Sequence, residues 1–257
     1  MRYRVALSVM LVLPALLAGV ADTAWADAYQ INPNQRYQAI EGFGTALAWW
    51  NNDEYRNPAW QQAYFQDLGS TILRMDITLY AAHTAQGSSV VNLNSTPLIF
   101  DGTANDVAQL NFGYDSLVTA GQVAQAGQTA LGSDFKLIGA VWSPPHWMKT
   151  DAGIVGQNSA GGYLTQTADN RQQYAYYLAA YVKGFEQNFG VPLYGITIQN
   201  EPRVGLGYNS SVLEPQWYHD TFLAVAQEFA NQGITTKLFG AVQDQLRSLS
   251  VSRPRPF

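Results

Sequence analysis

Five apolar segments rich in β-branched residues alternate with four segments of helical periodicity, and this predicts an α/β fold on a parallel sheet. The strand candidates are residues 38–45, 71–78, 135–142, 194–199 and 236–242; the helix candidates are 58–68, 114–131, 169–189 and 215–231. One helix between consecutive strands implies parallel pairing through right-handed crossovers, in a layer or a barrel. A second observation favours the barrel. Polar and aromatic residues crowd the stretches just after the strands: Trp49 and Trp50, Tyr80, "SPPHWMK" at 143–149 and "NEPR" at 200–203. In a (β/α)8 barrel of the TIM type those positions share the C-terminal face. An open doubly wound sheet is the alternative, but "GFGTAL" at 42–47 lacks the third glycine of a dinucleotide fingerprint.

Taken in order, the first 26 residues read as a signal peptide. Arg2 and Arg4 precede an apolar run from Val5 to Val20, and Ala24-Trp25-Ala26 has the small-x-small form of a cleavage site. The run is short for a bilayer span and has no basic stop beyond it. The expectation is therefore a secreted protein, extracellular or periplasmic, with no membrane association after cleavage. Residues 27–36 read as a linker or the first strand of a side β-domain, 37–245 as the barrel, and 246–257 as an irregular basic tail.

The clearest helix is 169–189, where Tyr174, Tyr177, Leu178, Tyr181, Val182 and Phe185 follow the i, i+3, i+4, i+7 rule. Gly190 and Pro192 supply its stop. Helix 215–231 sets Tyr218, Phe222, Val225, Ala226 and Phe229 on one face. Strand starts recur about every 50 residues, so eight units would need roughly 400. The expectation is a barrel cut short after about five strands, followed by "LRSLSVSRPRPF", which has neither periodicity and reads as a truncation or frameshift.

Composition excludes several functions. There is no cysteine, so disulfides and thiolate metal sites are absent, and His83, His146 and His219 show no ligand spacing. Net charge is −5 with 13% charged residues, against roughly 25% in an average domain. There is no basic stripe for nucleic acid. Seven Trp and 15 Tyr beside abundant amides and hydroxyls suit a neutral, hydroxyl-rich ligand, although an ordinary secreted surface has a similar make-up.

The chemistry centres on "GITIQNEPRV", 195–204. An alternating strand delivers Glu201 to its end, Pro202 stops the strand, and Asn200 sets an amide beside the carboxyl. Partly shielded by Trp neighbours, such a carboxyl would have its neutral form favoured and could donate a proton. A loop-capping glutamate is the structural alternative. Arg74, a lone guanidinium among apolar strand residues, needs a carboxylate partner, which Asp76 or Glu41 could also be. Trp142 suits either a pocket wall or the barrel core. His146 and Trp147 follow the rigid pair Pro144-Pro145, in either a wall or a packing role. Trp49 and Trp50 alternate faces, so only one can point into a cleft.

Four pieces, "QAIEGFGTALAWW", "ILRMDI", "VWSPPHWMK" and "GITIQNEP", occur in the order found in glycoside hydrolase family 30, which the sequence resembles over roughly 37–242. "GFGTALAWW" looks most like its endo-β-1,6-galactanase branch. The resemblance implies a retaining hydrolase acting on a β-linked polysaccharide or oligosaccharide, without metal or cofactor. It implies Glu201 as general acid/base, Asn200 as the amide contacting the sugar, and Arg74 as the residue orienting the nucleophile. It further implies Trp142 as a sugar-subsite wall, with His146, Trp147 and Trp49 beside it. The family's nucleophile is a glutamate ending strand seven, about 5–5.5 Å from the acid. Of the carboxylates after Glu201, none of Glu214, Asp220, Glu228 and Asp244 matches it, and none is assigned. The competing expectation is a carbohydrate-binding protein or degenerate enzyme that uses the same aromatic cleft without hydrolysis.

Overall fold

The computed structural model describes residues 32–35, 39–47, 52–77, 79–82, 97–151, 162–203, 205 and 208–240. The expected signal peptide, Trp49, Trp50, Asp244 and the basic tail lie outside the described residues. By contact the chain divides into Met1–Glu41 and Gly42–Phe257. In the first unit the described residues include a turn in which Asn32 Oδ1 accepts the Asn34 N–H at 3.0 Å.

The second unit carries a five-stranded sheet in the order β1-β2-β3-β4-β5, every neighbouring pair parallel. The strands are β1 (Gly44–Ala46), β2 (Ile72–Ile77), β3 (Lys136–Val141), β4 (Gly195–Thr197) and β5 (Lys237–Phe239). The helices are α1 (Asn52–Arg56), α2 (Pro58–Gln62), α3 (Asn105–Ala108), α4 (Asp115–Leu131), α5 (Ala168–Phe189) and α6 (Pro215–Asn231). Sequential parallel order with a helix in each crossover is the arrangement of a (β/α) barrel wall.

Local chemistry sets the boundaries. The Thr167 side chain caps α5 by accepting the Asn170 N–H at 3.1 Å. At its other end Gly190 takes the left-handed conformation (φ 69°) and donates to Glu186 O at 2.8 Å. Pro215 opens α6 at a position that needs no N–H donor. The helix expected over 58–68 changes pitch. It is α-helical to Gln62 and then a π turn over Ala63–Asp67, with the Leu68 N–H on Ala63 O at 2.9 Å. The Tyr64 hydroxyl, within that turn, donates to Ile72 O and accepts the Thr45 N–H, both at 2.7 Å.

The first strand is shorter than the expected 38–45. Gly42 has φ 151°, and a Cβ on Gly44 would fall 1.7 Å from the Ile72 carbonyl oxygen, so the chain enters the sheet on glycines. β4 also stops short of 199, and just beyond its end the Ile198 carbonyl accepts the Tyr174 hydroxyl.

Between sheet and helices, Leu73, Met75, Ile77, Leu137, Val141, Ile196 and Ile198 pack on the α5 residues the sequence singled out, all buried. Their rings form a ladder along α5: Tyr174–Tyr177, Tyr177–Tyr181, Tyr181–Phe185 and Phe185–Phe189, with centroids 6.1, 6.3, 6.5 and 4.8 Å apart. Each buried large side chain contributes on the order of 1.5–3 kcal/mol. On α6, Val225 and Phe229 are buried, whereas Tyr218, Phe222 and Ala226 are half-buried.

Candidate active site

Strand periodicity places the site. Leu73, Met75 and Ile77 turn toward the helices, so Ile72, Arg74 and Asp76 occupy the opposite face. Register carries that face across the sheet: Arg74 pairs with Ile138, Asp76 with Ala140, and Ala140 with Thr197. Trp142 lies two residues beyond Ala140, at the C-terminal rim.

There the Arg74 guanidinium donates to Asn200 Oδ1. Asn200 Nδ2 in turn donates to Glu201 Oε2 at 3.4 Å. The same guanidinium sits 5.7 Å from the Trp142 ring centroid, within cation–π range. Tyr208 also packs against Trp142, with ring centroids 5.6 Å apart. Burial lowers the Arg74 pKa, while the charges of Asp76 and Glu201 oppose the shift. The arginine thus balances two carboxylates, and its Nε has no hydrogen-bond partner among the described residues. Asn200 is buried and Glu201 half-buried.

The backbone around Glu201 is held from three sides. The Asn200 N–H donates to Val141 O at 2.6 Å. The fully buried Gln199 donates from Nε2 to Trp142 O at 2.9 Å and to Asn200 O at 3.0 Å, joining the ends of β3 and β4. From α5, the Tyr174 hydroxyl donates to Ile198 O at 2.7 Å. Glu201 itself has φ 43°, the one positive φ outside glycine among the described residues. That conformation costs on the order of 1–3 kcal/mol and persists only where surroundings enforce it.

The profile of the glycosyl hydrolase family 30 TIM-barrel domain matches residues 91–227, more than half of the chain. The chain belongs to glycosyl hydrolase family 30. It is 33% identical over 107 residues to an endo-1,6-beta-D-glucanase of Trichoderma harzianum, covering 40% of this chain and 22% of that protein. A Neurospora crassa endo-1,6-beta-D-glucanase is 28% identical over 200 residues, 71% of this chain and 37% of the other. The catalytic domain of the family-30 xylanase C from Talaromyces cellulolyticus superposes with a TM-score of 0.63 at 21% identity, over 84% of this chain and 49% of that one. The chain thus spans between about a fifth and a half of the length of these relatives.

Of the residues that family-30 resemblance singled out, the structure brings Arg74, Trp142, Asn200 and Glu201 together. His146 is buried and packs edge-on to Trp147, centroids 5.1 Å apart, in the 3-10 turn His146–Met148. Asp76, the alternative partner of Arg74, also acts on it electrostatically. Tyr208 and Gln199 were not singled out by sequence reasoning. Tyr208 follows Glu201 by seven residues across Gly205 and Gly207, a spacing with no periodic signal. A surface groove of about 730 Å³ between α2 and α4, lined by Pro58, Gln61, Phe65, Thr129 and Leu131, carries no acid–base residue. Among the described residues no cluster of His, Asp or Glu could hold a metal ion, and no helix is long and apolar enough to cross a membrane.

The last residue of "SPPHWMK", Lys149, is 4% exposed. Burial pushes its pKa down to about 8, against the opposing charge of Asp151. A lysine depressed in the folded state makes the unfolded chain bind more protons between about 8 and its unfolded value near 10.5. Its stabilising contribution is therefore present above about 10.5 and lost as pH falls through about 8. Urea unfolding of wild type and Lys149→Met should give a difference that is flat below pH 8 and moves in favour of wild type from 8 to 10.5. A difference unchanged across that window would refute the burial penalty.

Proposed function

We propose that Glu201 is the general acid/base of a retaining β-glycosidase acting on a β-1,6-linked polysaccharide. The observation that carries this reading is the meeting of Arg74, Trp142, Asn200 and Glu201 at the C-terminal rim of a family-30 sheet. In the first step Glu201 gives its proton to the glycosidic oxygen as a nucleophile takes the anomeric carbon; in the second it removes a proton from the incoming water. Asn200 holds its carboxyl, Arg74 holds Asn200, and Trp142 offers a ring face to the sugar. Trp147 and His146, which pack on each other, extend that wall. Carboxylate chemistry of this kind requires neither a metal nor an organic cofactor. A 1–26 leader and export suit a polysaccharide substrate.

The named activities of the Trichoderma and Neurospora relatives support a β-1,6-glucan, while "GFGTALAWW" supports a galactan. Residues 202–257 contain no carboxylate that matches the family nucleophile. The 257-residue chain is therefore tested with azide as the external nucleophile. Azide nitrogen bonds to C1 as the C1–O bond breaks, the departing oxygen takes the Glu201 proton, and an α-glycosyl azide and a free alcohol result.

With β-1,6-linked gluco- and galacto-disaccharides, azide-dependent release from at least one is expected, together with its loss in Glu201→Gln. Binding with no azide-supported release would favour a protein that holds the sugar without chemistry. Trp142→Ala should weaken binding of the preferred oligosaccharide by roughly 10- to 100-fold in calorimetry, the scale of a buried aromatic contact. Unchanged affinity would remove Trp142 from the subsite.

A further inference from the structure

Carboxylate chemistry does not use the buried Lys149, yet three distant segments meet around it. Residues 148–150 and 163–165 pair antiparallel: the Thr150 N–H donates to Tyr163 O and the Thr165 N–H to Met148 O, both at 2.9 Å. The loop after β4 joins them. Ser211 Oγ donates to Gly162 O at 2.7 Å, and the Val212 N–H donates to the same oxygen at 3.2 Å.

At the centre, Lys149 Nζ donates to Ser210 O at 2.8 Å and reaches Ser143 Oγ at 3.4 Å. The packing leaves it little room. A Cβ on Gly162, where φ is +78°, would lie 2.8 Å from both Nζ and Cε. The loop so held leads back to the site at both ends. Ser210 Oγ donates to Tyr208 O at 2.9 Å, the Tyr208 ring lies tilted at 53° to Trp142, and the Leu213 N–H donates to Pro202 O at 2.7 Å.

We propose that Lys149 is a positioning residue, whose buried ammonium clamps the 208–213 loop to the end of β3 and so sets the spacing of Tyr208 and Trp142 beside Glu201. A methionine of similar length would pack there without stripping water from a charge, so a cation at this place is a costly choice for packing alone. Its three donors on a flexible stem suit a carbonyl and a hydroxyl that come from different loops. The inference rests on the glycosidase reading only in taking that spacing to serve a sugar.

The test uses the full chain and the Lys149→Met variant, followed by amide exchange and calorimetric titration with a β-1,6-linked trisaccharide. The Val212 and Leu213 amides should exchange at least about tenfold faster in the variant while β2 and β3 amides keep their protection, the signature of local opening. Affinity should fall more than about threefold, as expected when a preorganised wall is loosened. Because the chain has no cysteine, Lys149→Cys treated with 2-bromoethylamine restores an ammonium at that single position, and both readouts should return toward wild type.

Unchanged loop exchange, or exchange that aminoethylation leaves fast, would overturn the proposal. If Lys149→Met does not fold, Ser143→Ala is read instead. Faster exchange confined to 210–213 supports the clamp, and unchanged exchange overturns it. If wild type does not bind the trisaccharide, the glycosidase reading fails while the exchange arm still decides the clamp.

Discussion

Glu201→Gln should lower azide-supported cleavage of the preferred β-1,6-linked disaccharide by about 10²–10⁴-fold, the usual worth of a positioned general acid. The departing sugar alkoxide is a poor leaving group, so the barrier depends on a proton arriving as the C–O bond breaks. Glutamine keeps the shape of the side chain and its contact with Asn200 Nδ2 but has no acidic proton. Binding should therefore change little while the rate collapses. The left-handed backbone at Glu201 sharpens the expectation, because Gln199, Val141 and the turn after Pro202 hold the chain in that conformation whichever side chain it carries. Progress curves of sugar release with and without azide check it, and a loss smaller than about tenfold would be too small for the assigned role.

The second large effect falls on stability. Tyr174 is fully buried, stacks on Tyr177, and gives its hydroxyl to Ile198 O at the end of β4. Tyr174→Ala should cost about 3–5 kcal/mol, as for large aromatic truncations in a packed core. Tyr174→Phe isolates the hydroxyl, and leaving the Ile198 carbonyl unsatisfied should cost about 1–3 kcal/mol. Urea unfolding followed by near-UV circular dichroism measures both. A Phe variant as stable as wild type would show that the hydroxyl is not what joins α5 to the rim. Because Ile198 lies three residues before Glu201, the Phe variant should also reduce azide-supported turnover more than it reduces sugar affinity.

Much of the fold was legible because its signals are local and periodic. The helical stripe of 169–189, its glycine stop and Pro215 at the start of the last helix each express a preference of a few neighbouring residues, and the structure keeps them. The boundaries that moved did so for non-local reasons. The helix from Pro58 widens where the Tyr64 hydroxyl bridges Ile72 and Thr45, and β4 ends just before Ile198, whose carbonyl accepts the Tyr174 hydroxyl from α5.

The site divides in the same way. Glu201, Asn200 and Trp142 lie in short motifs that end strands and Arg74 on the face of β2 that points away from the helices, so a parallel sheet brings them to one rim. Tyr208, Gln199 and Lys149 are set by loops crossing between strands. A single glutamine before "NEP" or a single lysine after "SPPHWM" carries no periodic signal that it will be buried and bonded to a distant carbonyl.

The central claim is that the Glu201 carboxyl, seated beside Arg74 and Trp142, delivers a proton to the departing oxygen. The most direct measurement is azide-supported cleavage of aryl β-glycosides across a series of phenols of rising pKa, in wild type and Glu201→Gln. Proton donation requires the two proteins to differ little for the most acidic phenol and to diverge toward about 10²–10⁴-fold as the leaving group becomes more basic. A ratio that stays constant across the series would contradict the claim, because the carboxyl would then act on something other than the leaving oxygen.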